Sequence, residues 1–417
     1  MNIGGAAAAV AIDGGDLAIG GGLLALLRPA LDAVEPGGVV ALRSRARSVA
    51  HDLPSWCRVE RHEYLACERD DDGADRHTVR RGTFSVPRGT REWGLTLRER
   101  NGTRTSADLA QLVPMPDRAD PASGFAPRGA RIEPGGPVYP FSINDRDHAA
   151  PPDVAQLYDQ ATSAQWTVRD IPWDAIDRHG APLERAIGQV MTFLAENELS
   201  ALYVPSRFLA RIHPAYVETA MFLATQLADE SRHIDVFLKR ARAAGGGVGI
   251  STATTSHSLH SLLEPDDFLE ASFLLTVLGE GTFLDLLAFL RTHAPDQCTA
   301  EIVTRARADE ARHVHFGLSH VRHALAHDKR LYARLEAAVR KRAATLHGVG
   351  GVPAPIQDAL VVYAAGGTAP EKIARGHEAF RELLHTMHEG RVKRLQSAGF
   401  ETAQSETLSA LHTPNFM

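Results

Sequence analysis

The chain has 417 residues, 44% of them apolar and 23% charged, which is the composition of a globular protein with room for two or three domains and a sizeable core. Its 45 basic and 51 acidic residues give a net charge of -6 and are mixed along the chain, without the basic run or aromatic-basic platform that nucleic acid requires. Nucleic acid is therefore excluded as a partner. The three cysteines, Cys57, Cys67 and Cys298, form no CxxC pair and no even framework, so they point to a reducing compartment and cannot by themselves make a zinc site. The opening "MNIGGAAAAVAIDGG" lacks a basic flank, and no stretch approaches about 18 unbroken apolar residues. The expectation is a cytoplasmic protein with no membrane partner.

In chain order, residues 1–81 carry short β-like runs, "GGVVALRSR" and "RHEYLACER", and a helical stretch "LLALLRPALDAVEPG" that stops at Pro-Gly. This reads as a small α+β domain. Residues 82–152 are rich in Gly, Pro, Arg and Asp, predicting strands near "GTFSVPRG" and "WGLTLRERNG" and then an extended connector lying on another surface, with no long helix. From 153 to 417 the apolar spacing becomes helical, predicting helices over roughly 153–164, 181–211, 214–244, 265–293, 296–327, 329–346, 354–365 and 369–397. Pro182, Pro214, Pro265 and Pro295 sit near the proposed starts, where a missing N–H costs nothing. The link "AAGGGVGISTATTSHSLHSLLEP" is long enough for a crossover rather than a tight turn. One such crossover makes a ferritin-like four-helix bundle, here with extra C-terminal helices, in a mainly α protein.

The chemistry sits in a repeated segment, "ADESRHIDVF" at 228–237 and "ADEARHVHF" at 308–316. Residues three apart on a helix point the same way, so Glu230 with His233 and Glu310 with His313 each offer one oxygen and one nitrogen to a common point. A di-metal carboxylate site needs one more carboxylate from each of two other helices. "FLAENEL" offers Glu196 or Glu198, and "VLGEGTF" offers Glu280. Aligning "LAE" with "LGE" favours Glu196, which places the two halves' spacings at 34 and 30 residues. Asp229 and Asp309 are placed to accept the second N–H of a metal-bound imidazole, and Arg232 and Arg312 to balance carboxylate charge. So much buried negative charge needs compensation, which two divalent cations would supply, and a carboxylate-rich set with two imidazoles and no thiolate suits Fe or Mn. A single Asp-Glu-x-Arg-His segment is commonly a solvated, ion-paired helix face, and it is the repetition after a buried Glu that favours metal.

The pattern of Glu followed by Asp-Glu-x-Arg-His, twice, resembles the signature of the ferritin-like di-iron oxygenases, especially the arylamine (p-aminobenzoate) N-oxygenases, over roughly residues 153–400. The resemblance implies Glu196, Glu230, His233, Glu280, Glu310 and His313 as catalytic metal ligands, two Fe ions (or Mn/Fe) with O2 as co-substrate, a small-molecule substrate, an electron donor, and a homodimer. Ala306 stands where those N-oxygenases have an additional histidine. Separately, "VEPGGVVALRSRARSVAHDLPSWCRVERHEYLACE" resembles the sulfur-carrier (TusA-like) family in its Gly turn, its Asp-Leu-Pro-Ser-Trp-Cys helix start and its His-Glu-Tyr-Leu strand. That family carries sulfur on a Cys-Pro-x-Pro cysteine before the first helix. Here the region reads "LAIGGGLLALL", so the unit is expected to dock a partner, dimerise or shape a substrate entrance, with Cys57 a structural thiol.

Three functions emerge as expectations. The first is an O2-activating di-iron oxygenase or oxidase performing hydroxylation or N-oxygenation in an apolar pocket between helices. The second is a ferroxidase or Mn/Fe oxidase without organic substrate, and the third a docking scaffold with structural metals. Of the remaining features, His320 on the stripe His313, His320, His327 is expected at a polar helix surface or an interhelix hydrogen bond, Tyr203 in the core, and the tail "LSALHTPNFM" packed back on the bundle.

Overall fold

The computed structural model describes residues 8–83, 105–130, 132, 135–347 and 352–411. The chain divides near residue 103 into two compact units, the first running to residue 102 and taking in residues 129–131, the second holding the rest. Of the strands predicted near 82–89 and 93–102, all but Gly82 and Thr83 lie outside the described residues.

The first unit alternates β1 (Val10–Asp13), α1 (Leu23–Asp32), β2 (Val39–Ser44), α2 (Val49–Val59), β3 (Glu63–Arg69) and β4 (Asp75–Arg80). Its sheet runs β1-β2-β4-β3, with β1 parallel to β2 and the other pairs antiparallel. Val40 and Leu42 of β2 face Leu23, Leu27 and Leu31 of α1 and Leu53 and Cys57 of α2 in one apolar core. The sheet thus has two strands, β1 and β4, beyond the two legible β-like runs. Helix α2 starts at Val49, ahead of the expected Asp-Leu-Pro start, and holds Pro54 within it. Burial pushes the Cys57 thiol up to about 12, so it is an inert packing group.

In the second unit the connector has only short helical pieces, α3 (Ser106–Leu112) and α4 (Arg146–Ala149), followed by α5 (Val154–Ser163). Its proline-rich stretch lies against the bundle. The Tyr216 hydroxyl donates to the Asn144 carbonyl at 2.9 Å, and Arg128 forms a buried ion pair with Glu218.

The bundle comprises α6 (Ala181–Leu209), α7 (Val217–Ala243), a composite third helix, and α11 (Gln297–His327). Helices α6 and α7 form one hairpin, and the third helix and α11 the other. Between the hairpins, residues 244–267 cross over and contain the short α8 (Ala253–Ser261) that the Gly/Ser/Thr-rich reading missed. Asp296 caps α11 by accepting from Thr299 N at 2.7 Å.

The third helix corrects the plain α-helix predicted there: α9 (Phe268–Ser272) passes into π turns at Phe273–Glu280 and back to α10 (Gly281–Thr292). Apolar spacing reports burial all round this segment and is blind to one added residue per turn. Phe268–Thr292 is long and apolar enough to cross a membrane, and 78% of an 18-residue apolar window within it is buried, so its apolarity serves as core. Outside the four helices lie α12 (Leu331–Thr345), α13 (Ala354–Ala365), α14 (Pro370–Ala398) and α15 (Thr402–Leu411). Leu408 of α15 is buried, as expected of the tail, and residues 412–417 lie outside the described set.

Candidate metal centre

Four helices deliver side chains to one buried point. Helix α7 presents Glu230 and His233 three residues apart, and α11 presents Glu310 and His313 in the same way, all four within 1% of fully buried. Glu280 comes from the end of the π turns and Glu198 from α6, each 2% exposed. Donor atoms of Glu198, Glu230, His233 and Glu310 lie within 4.8 Å of one another, as do those of Glu230, Glu280, Glu310 and His313. Glu230 and Glu310 belong to both sets, as two bridging carboxylates between two cation positions would.

The sixth donor corrects the sequence expectation. Glu196 is not in the cluster; it points to the outer side of α6, where Ser251 of the crossover meets its carboxyl. Burial there, only partly offset by Ser251, raises its pKa. The inner stripe of α6 is Met191, Leu194, Glu198, Ala201, Pro205 and Phe208, every one buried and spaced three and four apart. Glu196 lies on the row of Leu199 and Tyr203, which are 42% and 60% exposed. Tyr203 is accordingly a surface residue, against the expectation that it sits in the core.

Both imidazoles aim Nδ1 at the centre. His233 Nδ1 lies 3.3 Å from Glu230 Oε2, 3.3 Å from Glu310 Oε1 and 3.5 Å from Glu198 Oε2. His313 Nδ1 lies 3.1 Å from Glu230 Oε1 and 3.5 Å from Glu310 Oε2. Their Nε2 atoms turn outward to the opposite helix: His233 to Asp309 Oδ2 at 3.1 Å and His313 to Asp229 Oδ2 at 3.2 Å. A carboxylate oxygen accepts there, so Nε2 keeps its proton, and in the neutral ring Nδ1 is the lone pair open to a cation.

The arginines close this outer ring. Arg232 pairs with Asp229 and reaches Asp309 at 3.6 Å, while Arg312 pairs with Asp309 and reaches Asp229 at 3.5 Å. The two Asp-Glu-x-Arg-His segments thus lock crosswise, each supplying the other's second hydrogen bond. Three further residues escaped the sequence reading. Trp166 Nε1 donates to Asp309 Oδ2 at 2.7 Å and its ring stacks on His233 at 6.3 Å. Gln165 Nε2 donates to Asp229 Oδ1 at 3.3 Å, and Gln226 Nε2 to Glu280 Oε1 at 3.1 Å. Gln226 was visible as the residue one turn before Glu230, whereas the pair at 165 and 166 comes after α5 in a segment with no helical phase to place it.

Electrostatics show what the cluster lacks. Burial, reinforced by the Glu310 charge beside each, pushes Glu198 and Glu280 well above the usual carboxylate range. Burial disfavours charge on His233 and His313 as well, but Glu198 beside the first and Glu230 beside the second outweigh it and raise both. For Glu230 the His313 charge overcomes burial and lowers the pKa; Asp309 is held down at about 2 by the His233 and Trp166 hydrogen bonds.

Glu198 Oε1, Glu230 Oε1, Glu280 Oε2, both Glu310 oxygens and His313 Nδ1 are buried without any hydrogen-bond partner. Orphaned acceptors converging on one point are costly unless cations occupy it, so the residues present fit two metal ions. Glu198, Glu230, His233 and Glu310 could hold one, and Glu230, Glu280, Glu310 and His313 the other. Ala306, one turn before Glu310, is fully buried and adds no donor.

No family model matches the chain, and no curated protein matches it. Similar solved structures include an R2-like ligand-binding oxidase with aerobically reconstituted Mn/Fe cofactor, at 18% identity over 59% of this chain and 92% of that one, with a TM-score of 0.45. The same kind of oxidase after photoconversion covers 63% of this chain and 90% of its own at 17% identity and a TM-score of 0.41. A variant reconstituted aerobically with Fe/Fe gives 18% identity, 59% and 93% coverage and a TM-score of 0.42. Fold and site define a helical-bundle protein with a buried carboxylate–histidine centre, and its function is read from those side chains.

Proposed function

We propose that this chain is a non-haem dimetal oxidoreductase that binds two Fe ions, or Mn with Fe, and reacts with O2. The observation that carries the reading is the convergence of four glutamates and two histidine Nδ1 atoms, with six of their donor atoms unpartnered, on one buried point. Two such cations would supply electrons to O2 in a site closed to water. The Mn/Fe and Fe/Fe cofactors of the similar oxidases are compatible with this donor set. The protein's own part is to hold the ligands: Asp229 and Asp309 fix the imidazole tautomers, Arg232 and Arg312 fix the aspartates, and Gln226 orients Glu280.

The finer reading is oxidation of a small organic substrate by hydroxylation or N-oxygenation, with an external electron donor and a homodimeric assembly. The absence of a histidine at Ala306 favours a six-ligand oxidase or hydroxylase over the N-oxygenase type. One feature favours the second reading, an oxidase acting on the metal itself. The apolar cavity beside Gln226, lined by Phe208, Phe268, Leu275 and Phe316 among others, is about 10 Å³, room for one water and not for an organic molecule.

The test is elemental analysis of the purified protein, then anaerobic loading with ferrous iron and stopped-flow mixing with O2. About two metals per chain and a transient optical band are expected. Repeated turnover with a reductant and an organic substrate selects the first reading, and a single oxidation of the bound metals the second. No uptake of transition metal overturns both.

A further inference from the structure

A second group of donors sits far down α11. His323 and His327 are one turn apart on its last stretch, and Asp147 of α4 reaches up between them from the connector. His323 Nε2 lies 3.1 Å and His327 Nδ1 3.8 Å from the same oxygen, Asp147 Oδ1, with the two rings 4.5 Å apart. One donor atom from each of the three residues falls within 4.8 Å of the others. His323 Nε2 is buried and faces Asp147 Oδ1, which it can pair with as an ion only when the ring is protonated, and burial disfavours that charge. A neutral imidazole offers a lone pair, and two such nitrogens beside one carboxylate oxygen are the donors a shared divalent cation takes.

We propose that Asp147, His323 and His327 form an independent site for one borderline divalent cation such as Zn2+, clipping the connector to the end of α11. Two imidazoles one helical turn apart and one carboxylate make a three-ligand set that leaves a fourth position for water. Without thiolate, it suits Zn2+, Co2+ or Ni2+ rather than a soft ion. His327 Nδ1 also reaches the His323 carbonyl at 2.9 Å, but its side chain is 54% exposed, so trading that bond for a metal bond needs only a turn of an unburied ring. The adjacent Arg146 turns toward Asp117 at 3.9 Å. The site shares no donor with the buried centre, since His323 lies ten residues beyond His313, about 15 Å along the helix.

The experiment is titration of the full-length protein with Co2+ after its buried centre has been filled with ferrous iron anaerobically, read by visible absorption and by elemental analysis. One further equivalent per chain is expected, and the double variant His323→Ala/His327→Ala should lose that equivalent while its iron content stays unchanged. Asp147→Asn should weaken it at least tenfold, and His327→Ala, at an exposed position that does not threaten folding, should do the same. Absence of the extra equivalent in the unaltered protein, or its persistence in the double variant, overturns the proposal. The result does not depend on the reading of the buried centre, because the quantity measured is the difference of one equivalent between two proteins that share that centre.

Discussion

Glu196 and Glu198 are two residues apart on α6 and about 200° apart around it, so only one can face the cluster. Glu198→Ala should cost the protein at least one metal equivalent, whereas Glu196→Ala should leave the content unchanged; elemental analysis of the two variants decides, and the reverse pattern would refute the ligand assignment. Asp309→Asn keeps the shape but removes the acceptor that fixes the His233 proton, and is expected to lower metal affinity about 10- to 100-fold. Protonation gives a second handle. In the metal-free protein Glu198, Glu280, His233 and His313 all hold protons to higher pH folded than unfolded. The native state therefore binds more protons than the unfolded one, and stability falls as pH rises, first above the unfolded glutamate value of about 4.3 and then above the unfolded histidine value of about 6.5. Glu230 and Asp309 are depressed, so their contribution is complete above about pH 5 and is lost only in acid. Ligation releases protons and strengthens with pH, so the Tm difference between metal-loaded and metal-free protein should widen between about pH 6 and about pH 8.5. A constant difference across that range would contradict it. The repeated Asp-Glu-x-Arg-His segments made these residues legible, since i, i+3 geometry is local. The first glutamate was misplaced because matching "LAE" to "LGE" assumes equal helical phase in the two halves, and the π turns before Glu280 break that equality. The buried three-and-four stripe through Met191, Glu198 and Pro205 carried the right phase all along.

The long helices stand close to where apolar periodicity places them, because each has one face against the bundle and a start marked by a proline or an aspartate cap. What periodicity does not encode is the fit between helices. Gly317 of α11 sits against the π turns so closely that a Cβ there would lie 1.8 Å from Thr276 Oγ1 and 2.8 Å from its Cβ. Thr276 is itself buried and donates to the Ser272 carbonyl at 2.6 Å, so it has little freedom to retreat. Gly317→Ala should therefore push α11 off the segment that carries Glu280, destabilising the protein by about 1–3 kcal/mol. Thermal unfolding of loaded and metal-free protein measures it, and because the displacement alters the spacing of Glu280 from Glu310, metal retention should fall as well. An unchanged Tm would show that the π turns absorb the methyl group. His320, three residues further on, illustrates the same limit: the stripe of histidines suggests a polar surface or an interhelix hydrogen bond, and His320 is fully buried beside Phe268 and Phe316, where burial lowers its pKa to about 4.

At the scale of the whole molecule, the donors of the buried centre and the groups that hydrogen-bond to them come, among the described residues, from residues 165–313 within the second compact unit. The first unit closes its own apolar core between its sheet and two helices, and none of its described residues is among the donors of the buried cluster. Its elements run in the order βαβαββ, and Cys57 is buried in that core. A chain beginning at Thr103 should accordingly fold and take up the same two metals per molecule as the full-length protein, with an unchanged optical response to O2. Sedimentation velocity of the two forms then assigns the first unit its part. Loss of self-association in the shortened chain would make that unit the dimerisation element, and an unchanged oligomeric state with slower substrate turnover would make it a delivery or docking element. Loss of metal binding in a chain that remains folded would show instead that the first unit completes the centre, and would overturn the division of labour that the two separate cores imply.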